Sequence, residues 1–225
     1  MSELLIKLWQ NGILQLGIWE TVYMTLISTF FAYLIGLPVG LILRMTDRDG
    51  IHPIGWLNRT LGIIVNALRS IPFIILMVAM LPVAKFVVGT SLGNRAVIVT
   101  LVIAAAPYVA RMVESAAKEV NAGVIEAAQS MGASTLRIIC KVIIPEAKPA
   151  LITGGVISTV TILGYSAMAG TIGGGGLGQI AITYGYQKYD DQIVWLCVAL
   201  TIIIVQILQE FGMYIARRTD RRART

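Results

Sequence analysis

The chain has 225 residues, of which 56% are hydrophobic and only 13% charged, with a formal charge of +6, one histidine and two cysteines. A soluble domain averages about 25% charged residues, so a surface wetted on all sides is excluded and a bilayer is the expected solvent. His52 alone assembles no histidine metal cluster, and neither a metal site, a bound cofactor nor a Cys/His nucleophile is expected in this chain.

In chain order, the opening "MSELLIKLWQNG" carries Glu3 and lacks a small-residue cleavage site behind an apolar stretch, so it reads as retained. A spanning helix needs about 20 mainly apolar residues. Windows at about 18–43, 61–84, 96–113, 151–171 and 193–216 meet or approach that length. The expected fold is an all-α membrane protein with five transmembrane helices. They form one domain over 14–216, followed by a basic tail over 217–225. Glu20 falls near the outer end of the first span and is expected at the membrane interface. Asp49-Gly50 and Pro53 mark a turn after that span. In the second, Arg69 sits near the inner start, and Pro72 is a kink site. Arg111 and Glu114, three residues apart at the inner end of the third, are placed to pair.

Basic residues mark the sides. Arg44, Arg48 and Arg59 follow the first span, and Arg111, Lys118, Arg137, Lys141 and Lys148 lie between the third and fourth. Arg217, Arg218, Arg221, Arg222 and Arg224 follow the last, against only Lys7, Lys85, Arg95 and Lys188 on the other side. The excess of Lys and Arg in cytoplasmic segments puts the N-terminus outside and the C-terminus in the cytoplasm, which five spans satisfy. The tail reads as a topology anchor on the lipid surface, with no nucleic-acid partner. Cys140 and Cys197 then fall at different depths, and no bridge between them is expected.

The longest polar stretch, "EAAQSMGASTLRIICKVIIPEAKP" over 126–149, separates the third and fourth spans. Asn121 is suited to cap a short alanine-rich helix that Gly132 ends. Ser134 or Thr135 can start a second helix, with Leu136, Ile139, Cys140 and Ile143 at helical spacing and Arg137 and Lys141 on another face. That pattern suits a helix lying along the cytoplasmic membrane surface, redirected into the fourth span by Pro145 and Pro149. A simple amphipathic linker fits these features equally well.

Read residue by residue, Glu126-Ala127-Ala128, Gly132 three residues on, and Val142-x-Ile144-Pro145 resemble the EAA loop of ABC-importer permeases. Val142 and Ile144 replace the pattern's Ile and Leu with other aliphatic residues. "IVNALRSIPFIILMVAMLP", "APYVARMVESA" and "GYSAMAGTIGGGGLGQIAITYGY" extend the likeness, over nearly the whole chain, to methionine-uptake ABC permeases. The resemblance implies a type I importer subunit in a bacterial inner membrane. It would act as a homodimer with two separate ATP-binding cassette subunits carrying ATP-Mg and a periplasmic substrate-binding (lipo)protein. The cargo implied is methionine, both L and D; another amino acid or a short peptide is the alternative. It also implies a cytoplasmic coupling helix, with Glu126, Ala127, Ala128, Gly132 and Pro145 as the ATPase-coupling residues. Arg69, Tyr165, Ser166 and Met168 are the candidates for the substrate pathway.

"GGGGLG" over 173–178 contains G-x-G-x-x-G, but it follows a membrane span rather than a strand. Gln179 follows its last glycine where a phosphate-binding loop needs Lys and Ser or Thr. It is expected to be a flexible outer turn, either a plain connection or part of an outer gate. Without a phosphate-binding loop, energy must come from a partner subunit or not from ATP. A passive channel and a membrane-embedded enzyme are the rival classes. The first would need no coupling helix, and the second should show intramembrane Ser/His/Asp or carboxylate groups, none of which is evident.

Overall fold

A computed structural model of the chain describes residues 3–219, and every regular element among them is helical. Arg221, Arg222 and Arg224 of the basic tail lie outside the described residues. In order the elements are α1 (Glu3–Gln10), α2 (Ile13–Thr46), α3 (Gly55–Ser70), α4 (Phe73–Val88), α5 (Asn94–Lys118), α6 (Ala122–Ser130), α7 (Thr135–Ile138), α8 (Ile144–Ala169), α9 (Gly176–Ile180) and α10 (Asp191–Thr219). A π-helical turn, Ile139–Ile143, joins α7 to α8, so Thr135–Ile172 runs as one long helix. A second π-helical stretch, Ala181–Tyr186, continues α9.

Four of these helices are individually long and apolar enough to cross a bilayer: α2, α5, the α7–α8 helix and α10. The expected second span, 61–84, is corrected. It is no single helix but α3 and α4, meeting at 110°. Ile71 is extended (φ −77°, ψ 128°), the conformation favoured before proline, while Pro72 cannot donate to the carbonyl ladder of α3. Its fixed φ instead suits the residue preceding the first turn of α4. Counted as one broken span, the pair brings the total to five.

The expected change of direction at Pro145 and Pro149 is corrected too, because neither interrupts the helix. In a straight α-helix the ring of Pro145 would press on the carbonyl of Lys141, four residues back. The π turn widens the helix there, and the Ile144 N–H reaches back five residues to the Ile139 carbonyl. The separate surface helix expected from residue 134 onward is therefore the first part of this long helix. Its inward residues are Ile138 and Ile143, whereas Leu136 and Cys140 are exposed.

The bundle is organised around α5, whose apolar window is 56% buried, against 11% for the peripheral α10. Lipid is as apolar as leucine, so helices in a membrane gain from close packing of small residues rather than from leaving the solvent. Gly36 and Gly40 of α2 supply that closeness. A Cβ on Gly36 would stand 2.6 Å from Cγ1 of Val109, and one on Gly40 would meet the Ala110 carbonyl and Val113. The main core joins Met24, Met77, Leu101, Val109 and Ile162. A second cluster joins Leu8 and Leu14 to Leu177, Ile180, Ile193 and Cys197, so α1, α9 and the start of α10 share one end. Following the chain through its spans puts α6 at the opposite end. There Ile125 shares the core with Val120, Ile138, Ile143 and Ala147.

Candidate functional site

At one end, α6 is closed off at both termini. The Asn121 carboxamide oxygen accepts from the Gly123 N–H at 2.8 Å, as expected for its cap. At the other terminus Gly132 takes φ +75°, the left-handed conformation expected there, and its N–H bonds the Gln129 carbonyl at 2.9 Å. The Ala133 N–H bonds the Ala128 carbonyl at 3.1 Å, completing the paired reverse bonds that satisfy a helix end. Glu126 and Ala127 are exposed, whereas Ala128 is half-buried against the chain's own core. Pro145 lies apart from α6, exposed in the first turn of α8. Sequence reasoning missed Val124 and Met131, which are 45% and 87% exposed beside Ala127. The spacing 124, 127, 131 on one helix face was the available signal. A cavity of about 330 Å³ lies on the reverse side of α6, lined by Arg44, Asp49, Ile51, Ala122, Glu126 and Gln129 among others.

This end is firmly tied. The expected Arg111–Glu114 pair forms at 2.6 Å, and Lys118 bridges Glu114 at 2.9 Å and Asp47 at 2.8 Å. His52 Nε2 lies 2.6 Å from the Thr135 hydroxyl, joining the loop after α2 to the start of α7. The Lys118 ammonium and the Arg48 backbone N–H hold the Asp47 carboxyl below its usual range.

At the other end the glycine run is held rather than loose. The Glu20 carboxylate accepts from the Gly176 N–H and from the Asn94 carboxamide, each at 2.8 Å. Thr21 Oγ1 accepts from the Leu177 N–H at 2.9 Å, and Gln179 Oε1 from the Gly175 N–H at 2.8 Å. Glu20, half-buried, thus fastens the start of α9 to α2 and α5. A side chain at Gly175 or Gly176 would run into Glu20 or Thr21, so the run is glycine partly for close approach.

Between the two ends, the break between α3 and α4 opens a cavity of about 230 Å³. Arg69, Phe73, Tyr108 and Tyr165 line it, with Leu68 and Ile71. The rings of Phe73 and Tyr165 stack 4.4 Å apart, 3° from parallel. The Arg69 guanidinium lies 6.0 Å from the centre of the Tyr108 ring. The structure therefore brings together Arg69 and Tyr165 among the four expected pathway residues. Ser166 is buried and donates to the Leu163 carbonyl within α8, while Met168 is half exposed. Neither lines this cavity. Phe73 and Tyr108 were missed, although both occur in the quoted "RSIPF" and "APYVAR" stretches; only the fold shows that they converge.

Residues 36–225 match the protein family described as "Binding-protein-dependent transport system inner membrane component". The "Probable D-methionine transport system permease protein MetI" of Vibrio cholerae serotype O1 is 49% identical over 212 residues, 94% of each chain. The "D-methionine transport system permease protein MetI" of Escherichia coli K12 is 50% identical over 154 residues, 68% of this chain and 71% of the relative. Among solved structures, an inward-facing conformation of the MetNI methionine ABC transporter, native crystal form, superposes with a TM-score of 0.93. It is 46% identical and covers 98% of this chain and 100% of its own. An amino acid ABC transporter solved with histidines shares the fold at a TM-score of 0.78 and 19% identity. On this evidence the chain belongs to the family of inner-membrane components of binding-protein-dependent transport systems.

Proposed function

We propose that this chain is the permease subunit of an ATP-driven importer for methionine, paired with a second copy of itself in the inner membrane. Two separate ATPase subunits would supply the energy, and a substrate-binding protein would deliver the cargo. The observation that carries the reading is the likeness to methionine permeases, held at 49% identity across 94% of the chain. The relatives' D-methionine names support acceptance of the D enantiomer beside the L.

In this reading α6 is the coupling helix and lies in the cytoplasm. Its exposed residues Val124, Ala127 and Met131 form one face offered to an ATPase, and Glu126 is exposed on another side of the same helix. Ile125 on the reverse side shares a core with Ile138 and Ile143, so a push on α6 passes into α5 and the α7–α8 helix as packed contact. ATP-driven closure of the ATPases would bias the bundle between two states by their different affinity for this face. A passive channel would leave such a face without purpose.

The test is uptake of labelled methionine by proteoliposomes holding the complete complex. Excess unlabelled methionine should compete and other amino acids should not; no competition rejects the cargo. Ala128 packs inward, so coupling is better probed by Ala127→Trp, on the exposed face, and Gly132→Val, at the left-handed turn. Both should insert normally yet lose most ATP-dependent uptake, and unchanged uptake by both rejects the coupling role.

A further inference from the structure

We infer that the cavity at the α3–α4 break is the substrate's resting place in the pathway, with the amino-acid carboxylate on Arg69 and the side chain against the stacked rings of Phe73 and Tyr165. This rests on the reading of the chain as an amino-acid importer and assigns the contacts which that reading leaves open.

Four observations carry it. First, Arg69 stands within an apolar window, where a cation is costly and needs an anion or water. Arg111 and Lys118 have carboxylate partners, but among the described residues none pairs with Arg69. Its ring contact at 6.0 Å is at the limit for a cation–π interaction, leaving the guanidinium's paired N–H donors available for a carboxylate. Second, about 230 Å³ lies below the roughly 300–1,000 Å³ of drug-sized sites and suits a single small metabolite. Third, Phe73 and Tyr165, stacked on one another, line the cavity with aromatic carbon, and a thioether makes favourable contacts with such rings, often at their edges. Fourth, α3, α4, α5 and α8 each contribute a wall, so relative movement of these helices would alter the cavity and release what it holds.

The lining contains no acidic residue. Recognition should therefore depend on the carboxylate more than on the ammonium, which is left to the Tyr108 and Tyr165 rings and hydroxyls.

The experiment photolabels the reconstituted complex with a diazirine analogue of methionine, and follows uptake of labelled methionine in the same preparation. Wild-type complex should be labelled on peptides holding Phe73 or Tyr165. Arg69→Gln should lose at least about tenfold in both labelling and uptake, the loss expected from one charge-assisted hydrogen bond. Arg69→Lys should recover part of it. Arg69→Gln should co-elute with its partner subunits on gel filtration as wild type does, separating a lost contact from a misfolded subunit. Labelling that is unchanged in Arg69→Gln, or that falls only on other parts of the chain, overturns the assignment. Absence of methionine uptake by wild type would instead overturn the importer reading on which it rests.

Discussion

Glu20 shows how one side chain changes meaning once its neighbours are known. From the sequence it is a carboxylate near the end of a span; in the fold it receives two N–H donors from segments 74 and 156 residues away. Glu20→Ala removes both acceptors and should lower unfolding stability in detergent by about 2 kcal/mol. Glu20→Gln, keeping one acceptor oxygen, should lose less. Equal melting of Glu20→Ala and wild type would show that the clamp contributes nothing. At the other end, Asp47 lies outside the spans, and its pairing with Lys118 depresses its carboxyl. The sign follows: the folded state favours the charged form, so this stabilisation is complete above the ordinary carboxylate range. It is lost as pH falls through the lower folded value. Asp47→Asn should cost about 1 kcal/mol or less at neutral pH, since the pair is partly exposed. It should also flatten the acid limb of stability against pH, and an unchanged acid limb would reject the link.

At the scale of the element, local signals were legible where local chemistry decides. Asn121 and Gly132 bound α6 as read, since caps and left-handed turns depend on a few neighbouring residues. Proline was legible as an exception but not in its outcome. Pro72 separates two helices by 110°, whereas Pro145 is absorbed in a π turn. What differs is the packing around each, because buried Ile138, Ile143 and Ala147 hold the α7–α8 helix on one line. The small-residue seam of α2 was present as Gly36-x-x-x-Gly40, yet a seam has no meaning without its partner. Its partner is α5. Gly40→Leu must force the two helices apart against the Ala110 backbone, and should cost several kcal/mol or prevent recovery of folded protein. Gly164→Leu, where a Cβ would meet nothing within 4 Å, is the control and should be mild. Similar melting of the two variants would reject the seam.

For the whole molecule, the two native cysteines report on the proposed orientation. Cys140 is exposed near the α6 end and Cys197 is buried near the other. A membrane-impermeant maleimide should label Cys140 in inside-out vesicles and leave it untouched in right-side-out ones, with Cys197 silent in both. Labelling from the outer face would reverse the assignment of sides. By itself, the sequence determined that this is a bundle of apolar helices, where most of them run, and that its polar middle begins with a short capped helix. Composition and short-range propensity suffice for those, because a bilayer leaves the backbone little choice but helix. Only the tertiary structure decided that the second span is broken, that Glu20 and the glycine run are one clamp, and that Arg69, Tyr108, Phe73 and Tyr165 share a cavity while Ser166 and Met168 do not. The reason is physical: which faces of four helices converge depends on close packing between residues far apart in the chain, and helical periodicity alone does not encode that.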